Sequence, residues 1–232
     1  MKNIYLIILM LSITLISCNR DELLDKDPYD VVLTENLITD FTSFESATAG
    51  AYNILQNGYY QGGLYAIASD LMSDNSFATW SLFADTDNYE TTTDDREVLR
   101  IWSTISSLIA HTSIVIRQAE SFDFGSDQEQ ASDLIAQLYV IRGMAYFDMQ
   151  RLFAQPYNFT ADASHVGIPL IDETQVGIEI INPARSTTAQ VYAKIISDIQ
   201  FGINGIADDT SSIYNFNKTS AKALLARVHL YM

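Results

Sequence analysis

Apolar residues recur every three or four positions along several stretches of this chain, and those stretches predict its architecture. Trp102, Ile105, Ile109, Thr112, Ile116 and Ala119 share one face of a helix predicted over residues 96–121. The turn Phe122-Asp-Phe-Gly125 follows, and Ser126-Asp-Gln-Glu129 has the form of a capping box that opens a helix running to about Leu152. In that helix Leu134, Leu138, Ile141, Ala145 and Met149 mark one stripe, and Ile135, Val140, Met144 and Phe147 widen it. So broad a band calls for packing partners on more than one side. The short turn predicts that these two helices pack antiparallel as a hairpin.

Other stretches extend the pattern. Thr42-Ser-Phe-Glu45 reads as a capping box leading into Ala47, Ala51, Tyr52 and Leu55, with an end near Asn57-Gly58. Thr187-Thr-Ala-Gln190 opens a helix carrying Val191, Ile195, Ile199, Ile203 and Ile206, and Asn217 caps a last one with Ala221, Leu224, Leu225 and Val228. Between the hairpins, residues 154–186 contain Pro156, Gly167, Pro169 and Pro183, which forbid long regular elements. The predicted fold is all-α: tetratricopeptide-like helical hairpins with long irregular connecting loops, without a strict repeat of about 34 residues. Leu224 to Met232 remain in an apolar helical pattern with no terminator, so the expectation is a chain truncated within its final helix.

The first residues break from this periodicity. Lys2 precedes an apolar run from Ile4 to Ile16, and small Ser17 stands before Cys18, the only cysteine. That run is too short for a membrane span of about 20 residues, and it has the layout of an export signal. Leu15-Ile16-Ser17-Cys18 is similar to a bacterial lipobox, in which cleavage leaves a lipid-modified cysteine. The predicted organisation is a lipoprotein signal peptide over 1–17, a lipidated tether over 18–41 and a helical domain from 42 to 232. The mature protein is then anchored to a membrane by acyl chains without spanning it.

Charge narrows the partners. With 13 Lys and Arg against 29 Asp and Glu the formal net charge is −16, and no basic patch offsets it, so nucleic acid is not an expected ligand. His111, His165 and His229 lie far apart, and a single cysteine makes no thiol pair, so no zinc site or other cofactor is expected. Asp85-Thr-Asp87-Asn88 begins like a calcium loop, but Tyr89 and Glu90 stand where a ligand and a glycine belong. No nucleophile elbow, P-loop or dinucleotide-binding glycine pattern occurs.

Residues 58–95 carry the candidate chemistry. Tyr59, Tyr60, Tyr65, Phe77, Trp80, Phe83 and Tyr89 are interspersed with Gly62-Gly63, Asp70, Asp74, Asn75, Asp85, Asp87 and Asn88. Leu64–Met72 reads as helical and the remainder as a long loop, the kind that is functional more often than decorative. Sugars present apolar C–H faces and a rim of hydroxyls, so a glycan site combines aromatic platforms with amide and carboxylate groups. Trp80, Phe83 and Tyr89 beside Asp74, Asn75 and Asn88 supply both; the competing role for each ring is to plug the loop onto the helices.

An ordered series of motifs gives the chain its family likeness. Ala49-Gly50-Ala51-Tyr52, Ser73-Asp74, Trp102, Ile141-Arg-Gly-Met-Ala-Tyr-Phe147, Gly167-Ile-Pro-Leu170, Arg185-Ser-Thr187 with Val191-Tyr192 and Asp198, and Asn217-Lys218 follow the lipobox at Cys18. In that order the chain resembles the N-terminal part of the SusD/RagB family of nutrient-binding lipoproteins. The resemblance implies an outer-membrane protein facing the cell exterior that captures oligosaccharides or other nutrients. It also implies a SusC-like TonB-dependent transporter as partner and no catalysis. By position it points to Asp74, Asn75, Trp80 and Tyr89 as ligand contacts and to Cys18 as the lipid attachment. The family commonly has an asparagine near His111 or Thr112, which this sequence lacks. Arg142 and Asp148, on an otherwise apolar helix, are expected to be structural. The alternative reading is a helical-repeat scaffold lipoprotein that binds only proteins; a secreted glycosidase is a third.

Overall fold

The computed structural model describes residues 37–79, 81, 83–171, 183–207 and 214–232. The signal, the tether up to Asn36 and Cys18 lie outside the described residues. Helix α1 spans Phe41–Leu55, α2 Leu64–Leu71, the single turn α3 Ala84–Asp87, α4 Arg96–Ser121 and α5 Gln128–Phe153. Strands β1 (Val166–Pro169) and β2 (Arg185–Thr187) then precede α6, Thr188–Gly205, and α7, Lys218–Leu230. The strands pair antiparallel, with Val166 opposite Thr187 and Pro169 opposite Arg185. The all-α expectation holds, because these two short strands lie within the proline-punctuated connector.

Capping explains where most helices begin. Thr187 and Gln190 cap α6 reciprocally, at 3.2 Å (Gln190 N to Thr187 Oγ1) and 2.9 Å (Thr187 N to Gln190 Oε1). Asn217 caps α7 through the Ser220 N–H at 2.9 Å. Two starts differ from the sequence reading. Asp40, not Thr42, caps α1: its Oδ1 accepts the Ser43 N–H at 2.7 Å, and the Ser43 hydroxyl accepts the Asp40 N–H at 3.0 Å. A carboxylate at the N-cap also meets the positive end of the helix, which a threonine hydroxyl cannot match. The box at Ser126 does not form; a 3-10 turn over Gly125–Asp127 feeds directly into α5, and no side chain caps it.

Helix α5 is the axis of the fold. It makes its most extensive packing with α6 and the next with α4, and it also touches α1, α7 and β1. Phe147, Tyr146, Ile141, Leu138 and Val140 on it are fully enclosed. The broad apolar band read from the sequence corresponds to this burial on every side. Close approach of α6 to α5 depends on Gly202: a Cβ there would overlap Val140 Cγ2 and stand 2.8 Å from the Ala136 carbonyl.

The enclosed side chains Gln137, Arg142, Asp148 and Gln150 of α5 are each hydrogen-bonded. Arg142 donates from Nε and Nη2 to the two carboxylate oxygens of Asp198 on α6, at 2.8 and 2.9 Å, and Lys194 joins Asp198 at 3.2 Å. The structural role expected for Arg142 is met by this bidentate pair. His111 on α4 reaches α1, with Nε2 2.8 Å from the Ala47 carbonyl; a carbonyl only accepts, so Nε2 carries the proton. Gly50 makes room for that ring, since a Cβ there would lie 3.3 Å from Nε2. The imidazole thereby links α4 to α1.

Overpacking a tight helix contact costs about 1–3 kcal/mol, more than the ~1 kcal/mol gained by replacing a helical glycine. Gly202→Ala is therefore expected to lower stability, seen as a reduced urea midpoint with an unchanged m-value. A rise in the midpoint would mean that α5 and α6 are not in close contact at this point.

Candidate functional site

The segment after α2 is built from two helix ends. At the first, the Asn75 N–H donates to the Asp70 carbonyl at 3.1 Å and the Asp74 N–H to Leu71 at 3.3 Å, with Asp74 at φ 57°. At the second, Glu90 donates to Asp85 at 2.7 Å and Tyr89 to Thr86 at 3.2 Å, with Tyr89 at φ 59°. Both are Schellman closures, in which the left-handed residue is usually glycine. Here the two left-handed residues are side-chain bearing, and they clasp each other: the Tyr89 hydroxyl shares its proton between Asp74 Oδ1 at 3.0 Å and the Met72 carbonyl at 3.2 Å.

Further ties stiffen the segment. The Ala78 N–H donates to Asp87 Oδ2 at 2.9 Å, and Phe83, itself at φ 61°, inserts its ring into the core. Three of the four non-glycine residues with positive φ among the described residues, Asp74, Phe83 and Tyr89, fall within 16 positions of one another. Each such conformation costs on the order of 1 kcal/mol, and residues of this kind cluster at functional sites.

The sequence-predicted residues separate on inspection. Asp74 and Tyr89 are brought together, and Asn75 is next to them, its Nδ2 donating to Ser73 Oγ at 2.8 Å. Trp80 lies outside the described residues. Phe83 is a core residue, which removes it from the aromatic platform. Tyr60 and Tyr65 are buried as well. The sequence reading did not single out Phe77, which is 77% exposed. Its place just after the polar run Ser73-Asp-Asn-Ser76 was the available signal.

Tyr89 is the chemically telling member. Its hydroxyl is fixed from two sides, its pKa raised first by the hydrogen bond to Asp74, yet the residue is 64% exposed. A ring whose polar end is satisfied and whose face meets water can lie against the C–H face of a sugar. No basic residue occurs between Lys26 and Arg96, so the polar side chains of its own segment are carboxylates, amides and hydroxyls. The calcium-loop likeness yields no ion site: Asp87 is occupied by Ala78, and no cluster of three metal-ligating residues occurs among the described residues.

The site stands on α5 through Asp148. Tyr60 Oη and Gln61 Nε2 donate to its Oδ2 at 2.8 and 2.7 Å, and Tyr65 Oη donates to Oδ1 at 3.0 Å. Arg151 approaches Oδ1 at 3.6 Å. Tyr65 belongs to α2, and Tyr60 and Gln61 to the turn before it, so one buried carboxylate locates the helix whose end presents Asp74. Burial raises the Asp148 pKa against the lowering pull of these donors, and it pushes both tyrosines up, so the protons stay on the phenols.

A family model described as SusD-like, starch-binding and associating with the outer membrane matches residues 21–230. The chain belongs to the SusD-like family. It is 26% identical to a SusD-like protein of Formosa agariphila over the whole of this chain and 43% of that relative. A SusD superfamily protein of Bacteroides thetaiotaomicron superposes with a TM-score of 0.73 at 25% identity, over 83% of this chain and 43% of that one. A structure solved with xylogluco-oligosaccharide shares the fold at a TM-score of 0.62 and 24% identity, over 81% of this chain and 34% of the other. The chain thus spans less than half the length of these SusD-like relatives.

Asp148 gives the site's support a pH signature. Its folded-state pKa is raised above the ordinary 3.8, so its stabilising contribution is complete below that value and is lost as pH rises through the folded pKa. Asp148→Asn removes the titration. The stability of wild type relative to Asp148→Asn is expected to increase on going from about pH 7 to about pH 4.5, measured by urea denaturation at both values. A gap that narrows on acidification would reverse the assignment.

Proposed function

We propose that this protein is a surface lipoprotein that captures oligosaccharides at the outer membrane and passes them to a SusC-like TonB-dependent transporter. The observation that carries the reading is Tyr89, an exposed ring with a fixed hydroxyl, set in a strained segment of a SusD-like chain. Asp74, Asn75, Trp80 and Tyr89 are its ligand contacts, and Phe77 joins them. The description of the family as starch-binding and outer-membrane-associated supports the ligand class and the location, and the relative solved with xylogluco-oligosaccharide supports a β-linked glycan as one ligand to try. Function is capture and hand-over, with no bond made or broken. Cys18 bears the lipid that holds the protein at the membrane, facing the exterior.

Tyr89→Gly separates binding from folding. Glycine adopts the left-handed conformation without penalty, so the variant loses the ring while the backbone closure remains favourable. Affinity for a xyloglucan or starch oligosaccharide is expected to fall about tenfold or more, with the melting temperature nearly unchanged. Unaltered affinity for a glycan that wild type binds would move the site elsewhere. Transporter co-purification with no affinity for any glycan would favour the protein-binding scaffold.

Lipidation has its own test. Labelled palmitate is expected in wild type and absent from Cys18→Ala, and equal labelling in both would remove the anchor from this account.

A further inference from the structure

A cleft of about 560 Å3 lies at the C-terminal end of α5, where Phe153 and Gln155 meet Phe159, His165, Val166 and Arg185. Its volume is within the range of small-ligand sites, about 300–1,000 Å3. None of these residues belongs to the Asp74–Tyr89 site.

Arg185 is the cationic group lining this cleft. Arg142, Arg151, Arg96 and Lys194 each face a carboxylate. Arg185 instead donates Nε to the Gly167 carbonyl at 2.5 Å and Nη2 to the Phe153 carbonyl at 3.2 Å, and among the described residues no carboxylate pairs with it. Those two bonds tie β1 to the end of α5 and leave N–H groups of the guanidinium uncommitted, since it carries five. Asp162, three residues before His165, accepts the Ser164 N–H at 3.1 Å within its own turn.

The same cleft holds a framed aromatic face. Phe159 is 60% exposed and stands edge-on to the His165 ring, with centroids 5.3 Å apart. His165 is itself fixed, with Nδ1 2.9 Å from Thr160 Oγ1 and Nε2 3.4 Å from the Gln155 carbonyl. A fixed positive fork next to an exposed ring suits a ligand with a carboxylate on the edge of a C–H face. Uronic acid residues of a glycan have that layout: the C6 carboxylate lies at the rim of a pyranose ring whose face is apolar.

We propose that the Arg185–Phe159 cleft is a second sugar subsite, selective for a uronate residue, with Arg185 holding the carboxylate and Phe159 the ring face. It rests on the reading of this protein as a glycan binder. The overall charge of −16 does not forbid it, because charges beyond about 10 Å are screened at ordinary ionic strength, while a contact pair with a guanidinium is not.

The test compares α-1,4-linked trigalacturonate with its methyl ester, which keeps the shape and loses the charge, by calorimetric titration of the full chain. The acid is expected to bind at least about tenfold more tightly than the ester. Arg185→Ala should abolish that preference, and Phe159→Ala should weaken both ligands. Arg185 also ties β1 to α5, so melting temperatures are recorded. If Arg185→Ala unfolds, Phe159→Ala and Arg185→Lys, which keeps the charge without the fork, carry the test. Equal binding of acid and ester, no binding of either, or a preference that survives Arg185→Ala overturns the subsite. Neutral-glycan binding sensitive to Tyr89→Gly and indifferent to Arg185→Ala would in that case leave the main reading standing; loss of all glycan binding in wild type would remove both.

Discussion

The structure depends on one constraint: from Ala136 to Gln150 helix α5 is buried on almost every side, so each enclosed polar side chain there must find a partner on a neighbouring element. Gln137 accepts from the Tyr52 hydroxyl of α1 at 2.8 Å. Arg142 pairs with Asp198 of α6. Asp148 collects Tyr60, Gln61 and Tyr65. Gln150 donates to Thr188 Oγ1 at 3.1 Å and accepts from the Ile168 N–H at 3.1 Å, joining the start of α6 to β1. An apolar helix can slide or rotate against its neighbours at small cost. Leaving one of these groups unpaired costs about 1–3 kcal/mol, and breaking a buried ion pair about 3–5. Four polar residues on one helix thereby assign four neighbours their places.

That assignment reaches the candidate site by a short path. Asp148 holds the tyrosines at the base of α2, α2 ends in the closure that presents Asp74, and Asp74 receives the hydroxyl of Tyr89 from the end of α3. Each step is a hydrogen bond to a residue whose own backbone is already committed, so little freedom is left at Tyr89. The three left-handed residues between Asp74 and Tyr89 are affordable because the surrounding bonds over-determine them.

Legibility in the sequence followed the range of the interactions. The helices were readable, because their signals are local: the period of α4 and α5, the Thr187 box and the Asn217 cap all lie within a few residues. The caps at Asp40 and the uncapped start of α5 were misread. Thr42-x-x-Glu45 and Ser126-x-x-Glu129 have the right letters, and only the backbone direction a few residues earlier decides which residue sits at the cap. In the site, Asp74 and Tyr89 were named, but their mutual bond was not, since it joins residues 15 apart through two αL closures that glycine would ordinarily mark. Phe83 and Phe77 exchanged roles. One ring near a chain reversal enters the core and another stays in water, and aromatic type alone does not distinguish them.

On the proposed reading, the same separation lets binding and stability vary independently. Residues that fix the fold, Arg142, Asp148, Gln137 and Gln150, are enclosed and bond to side chains or backbone of neighbouring elements. The rings that meet solvent, Phe77, Tyr89 and Phe159, contribute little buried area and hang from positions that those enclosed residues have already set. On the proposed reading a change of ligand needs changes only in exposed rings and their polar rim, while the polar set of α5 stays intact to present them. SusD-like relatives at 25% identity that keep the fold at a TM-score of 0.73 are consistent with that division, in which the helix pairing is held by few residues and the surface segments are free to diverge.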